Sequence, residues 1–202
     1  MEAADKKITA FILAAGESRR FGAPKVLQVF ADIPFLRRIR QNLQDIGIER
    51  PILVLGYQAQ KLIPQIPNPE AFDIVVNPNF ENGMFSSVQT AINAQPKSSI
   101  GTLLCLIDQP HIRPATYQRL MQSATAHPHS VIIPTFNQRG GHPIYIPSEL
   151  FDLIRNAPPN STLRALLNQH KNLILRIEVN DFGITEDIDT PEDLIRLEKM
   201  FK

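Results

Sequence analysis

The sequence predicts a single-domain α/β fold: a mostly parallel, mixed sheet covered by helices on both faces. Three observations predict it. Short apolar runs of β type alternate with amphipathic stretches of helical period, which is the pattern of a sheet with crossover helices. The chain has 202 residues, 43% hydrophobic and 20% charged, enough for one full core and too few for two ordinary enzyme domains. No repeat, low-complexity tract or hinge-like linker divides it, so residues 1–202 are read as one domain.

The strand candidates in chain order are residues 8–14, 52–55, 72–76, 102–107 and 130–133. Residues 143–146 and 173–179 follow without regular helix alternation, so antiparallel edge pairing is expected there. Phe35, Leu36, Ile39, Leu43 and Ile46 repeat at helical spacing and stop before Gly47, which suits a left-handed C-terminal cap. Pro114 can open a later helix at its first position, where no N–H is needed. Thr190-Pro191-Glu192-Asp193 carries an N-cap threonine, proline at N1 and an acidic N3, the pattern of a capping box. Residues 64–69 and Pro158-Pro159 read as surface loops.

Charge narrows the function. The 21 basic and 20 acidic residues leave a net charge of +1, too weak a field to make nucleic acid or a membrane surface the main partner. A small molecule is expected instead. The single cysteine, Cys105, lies inside the apolar run Leu103-Leu104-Cys105-Leu106-Ile107 and reads as a buried, unreactive thiol. The first residues offer no secretory h-region, and the apolar run that follows breaks at Gly16, so a cytoplasmic protein is expected.

The first candidate site follows the first strand, in Leu13-Ala14-Ala15-Gly16-Glu17-Ser18-Arg19-Arg20-Phe21-Gly22-Ala23-Pro24-Lys25. Small residues let backbone N–H groups approach a ligand, and the two glycines allow bends that would strain other residues. Arg19, Arg20 and Lys25 then supply the charge a polyphosphate needs, at the sheet edge where open α/β folds bind ligands. The segment lacks both the Gly-Lys-Ser/Thr of a Walker A loop and the Gly-x-Gly-x-x-Gly of dinucleotide binders.

Residues 13–25 resemble the signature loop of the MobA-like nucleotidyltransferases, and four further segments resemble the family's molybdenum cofactor cytidylyltransferase branch. Residues 77–88, with Asn77, Gly83, Met84, Phe85, Ser86 and Ser87, are similar to its N…GMSSS loop. Asp108-Gln109-Pro110 is similar to its DQP, Arg139-Gly140-Gly141-His142-Pro143 to its RGHP, and residues 187–194 to its DIDTPEDL. Each segment alone is weakly specific; five in order over nearly the whole chain are not. Two positions depart from the pattern: Ile107 replaces the usual glycine before Asp108, and Asn160-Ser161-Thr162-Leu163-Arg164 replaces a G-D-x-G-A-R stretch.

The resemblance implies a Rossmann-like (GT-A-like) three-layer sandwich and transfer of CMP from CTP to a phosphorylated acceptor, molybdopterin first among them, with release of pyrophosphate. It implies Mg²⁺ as cofactor and a molybdoenzyme awaiting maturation as a partner. It selects Arg20 over Arg19 beside Lys25, adds Leu13, Ala14, Ala15 and Gly16 as nucleotide-binding backbone, and carries over Gly83 and Ser87 from the second loop. CTP rather than GTP rests on Leu13-Ala14-Ala15-Gly16, where guanylyltransferases tend to have glycine in place of Ala15.

Asp108 ends the most apolar strand, where a carboxylate can either hold Mg²⁺ or cap the turn before Pro110; the resemblance favours the metal. Asp187 and Asp189 flank Ile188, and strand alternation would point both to one side, so geometry leaves open which is the second ligand. Asp189 is taken for its position. Gly83 to Val88 reads as a loop feeding a helix, with serine capping as the bland alternative and Met84 and Phe85 as packing residues. His142, one of five histidines and the one within a resembling motif, is read as an acceptor-site residue, with a turn or packing role before Pro143 as the bland alternative. Two other functions stay open: transfer to a sugar or polyol phosphate, and a non-catalytic accessory protein that binds a nucleotide or cofactor.

Overall fold

The computed structural model describes residues 7–201. In chain order the elements are β1 (Lys7–Ala14), β2 (Val29–Phe30), β3 (Ile33–Pro34), α1 (Phe35–Gln44), β4 (Ile52–Leu55), α2 (Ala59–Leu62), β5 (Asp73–Val76) and α3 (Met84–Asn93). They continue with β6 (Ser99–Leu106), α4 (Pro114–Ala126), β7 (Val131–Phe136), β8 (Arg139–Gly140), β9 (Ile144–Pro147), α5 (Phe151–Asn156), α6 (Leu163–Gln169), β10 (Ile174–Glu178) and α7 (Pro191–Met200). The main sheet has the order β10-β7-β9-β6-β1-β4-β5, with β8 paired to β7 and a separate β2-β3 hairpin.

Strands β1 and β6 are buried on both faces, so their side chains alternate between two cores. Ala10, Ile12, Leu103 and Cys105 pack with Phe35, Ile39, Tyr117, Leu120 and Leu197 of α1, α4 and α7. Phe11, Leu13 and Leu104 pack on the other side with Val88, Ile92, Phe151, Ile154 and Leu167 of α3, α5 and α6. The result is the expected three-layer sandwich. Cys105 is buried, and that burial pushes its thiol up to about 12, so it is an inert core residue.

Helix ends form as their sequences require. Gly47 at φ +85° ends the turn after α1 in a Schellman arrangement: Ile48 N donates to Leu43 O and Gly47 N to Gln44 O. Thr190 and Asp193 make the reciprocal capping box of α7. Pro114 stands at the start of α4.

The edge expectation is half right for each of two strands. β9 is antiparallel to both neighbours, but it lies inside the sheet between β6 and β7. β10 is an edge strand, yet it runs parallel to β7. Ile144, Tyr145 and Ile146 are fully or nearly buried, and an apolar run of this kind needs cover on both faces, which an interior position supplies.

A tight contact joins this reversed strand to the C-terminal segment. Gly141 sits so close to residue 184 that a Cβ built on it would lie 1.9 Å from Ile184 O, a backbone atom that cannot swing aside. His142 N donates to the same carbonyl at 3.2 Å. Gly141→Ala is expected to destabilise the fold by roughly 2 kcal/mol or more through overpacking, read as a lower midpoint in denaturant unfolding.

Candidate active site

The site lies where the sheet reverses its order. The chain runs from β1 outward to β4 and β5, then returns to place β6 on the opposite side of β1. A crevice opens at such a switch point beyond the carboxyl ends of the strands. There a cleft of about 370 Å³ is lined by Leu13, Ala14, Ala15, Gly16, Arg20, Lys25, Gly83, Ser87, Asp108 and Asp189. All ten residues that the sequence assigns to nucleotide or metal therefore meet at one place.

The glycine loop is shaped somewhat differently from expectation. Gly22 takes the left-handed conformation, φ +79°, but Gly16 does not; Ser18 does instead, at φ +53°. The turn is held by Phe21 N and Gly22 N donating to Ser18 O. A Cβ on Gly16 would meet no protein atom within 4 Å, so that face of the loop is open to the cleft. Ala15 O accepts from Tyr57 N at 3.1 Å and anchors the loop to the segment after β4.

Lys25 is the charge at the centre. It is only 8% exposed, and its Nζ donates to Asp189 Oδ1 at 2.8 Å and Asp108 Oδ2 at 3.2 Å. Arg20, largely exposed, donates to Asp189 Oδ2 at 2.9 Å. Arg19 pairs with Glu17 in the same loop, which separates its role from that of Arg20. Burial raises the Asp108 carboxyl above its ordinary value, Asp187 and Asp189 push the same way, and Lys25 pulls it back.

Asp187 and Asp189 both line the cleft because Ile188 between them is fully buried and its N–H donates to Asp108 O at 2.9 Å. The two part company in their partners. Asp187 Oδ1 accepts from Gln109 Nε2 at 2.9 Å, whereas Asp189 shares Lys25 with Asp108. Ile107 packs into the core under the turn, so its replacement of glycine leaves Asp108 in place.

The second loop removes one alternative and corrects one expectation. Gly83, at φ +88°, is itself the N-cap of α3, and no side chain caps that end, so serine capping is not its purpose. Phe85 is a core residue as expected, but Met84 is 60% exposed. Gly83 and Met84 border a neighbouring cavity of about 820 Å³.

His142 lines that second cavity and not the cleft. Burial pushes its imidazole down to about 4, so it meets a ligand as a neutral group at pH 7. Around it stand Arg139, Arg164 and Arg176, with Ile144 and Leu163 among the apolar walls and, among the described residues, no carboxylate. One residue here was missed in the sequence and two were left without a role. Arg176 is the one cation in the apolar run 173–179 and could have been singled out, whereas Phe80 in the cleft wall and the buried Gln109 stand inside the 77–88 and Asp108-Gln109-Pro110 motifs, which gave them no role of their own.

A glycine-turned loop, a buried lysine and two carboxylates at the switch point of a mostly parallel sheet define the class: a domain built to transfer nucleotides. Its family is the MobA-like NTP transferase domain family, which matches residues 10–173, and the chain belongs to it. Nicotine blue oxidoreductase of Paenarthrobacter nicotinovorans is 30% identical over 198 residues, covering 94% of this chain and 96% of that protein. Molybdenum cofactor cytidylyltransferase of Escherichia coli strain K12 is 27% identical over 197 residues, covering 96% and 97%. The crystal structure of Rv0371c from Mycobacterium tuberculosis H37Rv superposes with a TM-score of 0.84 at 26% identity, covering 98% of this chain and all of that one. A structure of Rv0371c in complex with manganese superposes at 0.73 with 23% identity, covering 96% and 98%.

Behind the cleft, His111 is 2% exposed and its Nε2 lies 3.2 Å from Gly183 O. A carbonyl only accepts, so Nε2 carries the proton and the buried Nδ1 is left without a partner. Burial accordingly pushes this histidine down to about 4 from an ordinary 6.5. The native state favours neutral His111, so its contribution is complete above pH 6.5 and is lost as pH falls from there toward 4. The raised carboxyls of Asp108 and Asp187 act in the opposite sense, because protonation relieves them. The expected outcome is therefore differential: denaturant unfolding of the wild type loses about 2 kcal/mol more between pH 7 and pH 4.5 than unfolding of His111→Phe.

Proposed function

We propose that the chain is a Mg²⁺-dependent nucleotidyltransferase that moves CMP from CTP to a phosphorylated acceptor, with molybdopterin as the first candidate, and releases pyrophosphate. The observation that carries this reading is the Lys25 ammonium held between Asp108 and Asp189 at the mouth of the glycine loop. Such a set can meet both a polyphosphate and the cation that accompanies it.

The residues fit a divalent cation. Asp108 Oδ1 is buried with no hydrogen-bond partner, an unspent lone pair on a residue that lines the same cleft as Asp189. Among the described residues no group of three or more His, Cys, Asp or Glu side chains forms a metal cage. Two carboxylates with phosphate oxygens and water are the usual environment of Mg²⁺. Asp108 and Asp189 would hold the ion, which supplies charge neutralisation on the triphosphate. The manganese complex of the mycobacterial neighbour agrees with a divalent site.

Transfer needs no nucleophilic side chain. The acceptor's phosphate oxygen is already anionic; it attacks the α-phosphorus in line, the bond to the bridging oxygen breaks, and pyrophosphate leaves with that electron pair. The chain's part is to position and to stabilise charge through Arg20, Lys25 and the N–H groups of the 13–16 loop. The acceptor would occupy the second cavity, where three arginines and neutral His142 suit an anion and the apolar walls suit a ring system. The departing segment 160–164 lines this cavity, so a sugar or polyol phosphate is the alternative acceptor.

The 30% relative named as an oxidoreductase gives a second reading, a redox activity on the same fold. It predicts redox turnover without pyrophosphate release. The pair of carboxylates on Lys25 favours the transferase, and so it does against an accessory protein that binds nucleotide without turnover. On this reading the protein is cytoplasmic and hands its product to a molybdoenzyme. No helix among the described residues is long and apolar enough to cross a membrane.

Pyrophosphate release is to be measured with four NTPs against molybdopterin and a panel of sugar and polyol phosphates. Asp108→Asn is expected to lower turnover by two orders of magnitude or more while keeping the fold, since charge neutralisation by a metal is worth several kcal/mol. Asp189→Asn should follow it; Asp187→Asn should not, and loss in Asp187→Asn alone would reverse the assignment of the second ligand. Near-normal turnover of Asp108→Asn removes it from the mechanism.

The loop cations separate by what they change. Lys25→Ala is expected to lower kcat more than CTP affinity, as for a group whose contact with phosphate grows during reaction. Arg20→Ala should weaken CTP binding itself, and Arg20→Lys should not restore it, because a planar fork holds two oxygens where an ammonium holds one. Calorimetric titration of CTP with Mg²⁺ beside steady-state kinetics reads both effects; unchanged values in all three variants would reduce the loop to an ordinary turn.

A further inference from the structure

We propose that Asn77, which touches no ligand, is a positioning residue that sets base preference by fixing the hydrogen-bond polarity of Ser87. The inference rests on the reading of the cleft as an NTP site. Asn77 follows β5, is 1% exposed, and is held by its own N–H donating to Leu55 O at 2.7 Å. Its side chain is not free to turn over. Asn79 N donates to Asn77 Oδ1 at 2.9 Å, and a backbone N–H can only donate, so the other terminal atom is the amide nitrogen.

That nitrogen has two hydrogens and two serines to receive them, Ser86 Oγ at 2.8 Å and Ser87 Oγ at 3.0 Å. The serines then differ. Ser86 passes its proton to a carbonyl, Gly83 O at 2.8 Å or Asn79 O at 2.9 Å, and is complete within the protein. Among the described residues Ser87 Oγ has no hydrogen-bond partner besides Asn77. It lines the cleft with Phe80, Gly83 and Met84, although it is only 4% exposed. A buried hydroxyl that already accepts from an amide is left with a proton to give. A ligand atom that accepts completes it; a ligand N–H leaves that proton unpaired, a loss felt as about tenfold or more in affinity.

The ligand class that fits is therefore a nucleobase with an acceptor edge. Cytosine presents a ring nitrogen and a carbonyl side by side, both acceptors, whereas guanine's Watson–Crick edge presents two N–H donors beside its one carbonyl. Asn77 discriminates between them without contact, by holding Ser87 as a donor.

Asn77→Asp tests this at nearly constant shape. The carboxylate still accepts from Asn79 N, but its second oxygen also accepts, so it draws the serine proton away from the cleft. Calorimetry with Mg²⁺ should show that wild type favours CTP over GTP and that the CTP-to-GTP affinity ratio falls at least tenfold in Asn77→Asp. Binding of inorganic tripolyphosphate, which has no base, should be unchanged. Ser87→Ala should lower the ratio likewise and answers the question if Asn77→Asp does not fold. A ratio that stays constant, or tripolyphosphate binding that falls in step with the nucleotides, would make Asn77 a structural residue only. Failure of wild type to bind any NTP would overturn the nucleotide reading along with this one, whereas an unchanged ratio overturns this one alone.

Discussion

A lysine ammonium that is 8% exposed cannot stand alone, and much of the site follows from how Lys25 is neutralised. Its two carboxylates come from distant parts of the chain, 83 and 164 residues away. A buried charge that loses a partner costs about 3–5 kcal/mol, so the glycine loop, the turn after β6 and the segment before α7 are bound to one another by this group. The neutral links run the same way: Ile188 N donates to Asp108 O, and Ile107 N donates to Leu13 O. Charge fixes which segments meet, and backbone hydrogen bonds fix how they lie.

The sheet makes that meeting possible. Parallel β1 and β6 deliver the loop and Asp108 to one edge, and capped α7 sets the direction of the chain through Asp187 and Asp189. The reversed β9 then does something a purely parallel sheet could not. It starts at that edge, so Arg139 and His142 lie beside the cleft, in a cavity that shares Gly83 and Met84 with it. Two adjoining cavities, one with carboxylates and one with arginines alone as charged groups, are the electrostatic division that transfer between a metal-bound triphosphate and an anionic acceptor calls for.

Local rules made much of this legible in the sequence. Gly47, Pro114 and the Thr190–Asp193 box act within a few residues of themselves, so their effects could be read directly. The apolar runs announced strands, but not neighbours: residues 143–146 and 173–179 look alike in composition, and only long-range pairing decides which is reversed and which lies at the edge. Cleft residues were found because their motifs fall at strand ends, which one topology brings together. Met84 escaped because an apolar side chain at a helix start is usually packed, and here the space it faces belongs to two cavities. Ser18 escaped because its left-handed backbone is imposed by the turn that Phe21 and Gly22 close on it, not by its own preference.

Two polar groups behind the cleft stood in legible motifs, yet their roles could not be read. Gln109 and Asn77 are each almost fully buried, and each is defined by the groups it orients. Gln109 occupies Asp187 and so leaves Asp189 to share Lys25; Asn77 occupies one side of Ser87 and so leaves its proton to the cleft. An amide suits both places because it donates and accepts at once. At Gln109 a carboxylate would add to the repulsion among Asp108, Asp187 and Asp189, and at either position an apolar residue would leave its partners unpaired. Chemical identity at these positions is therefore dictated by second neighbours in space, and a linear sequence shows first neighbours along the chain.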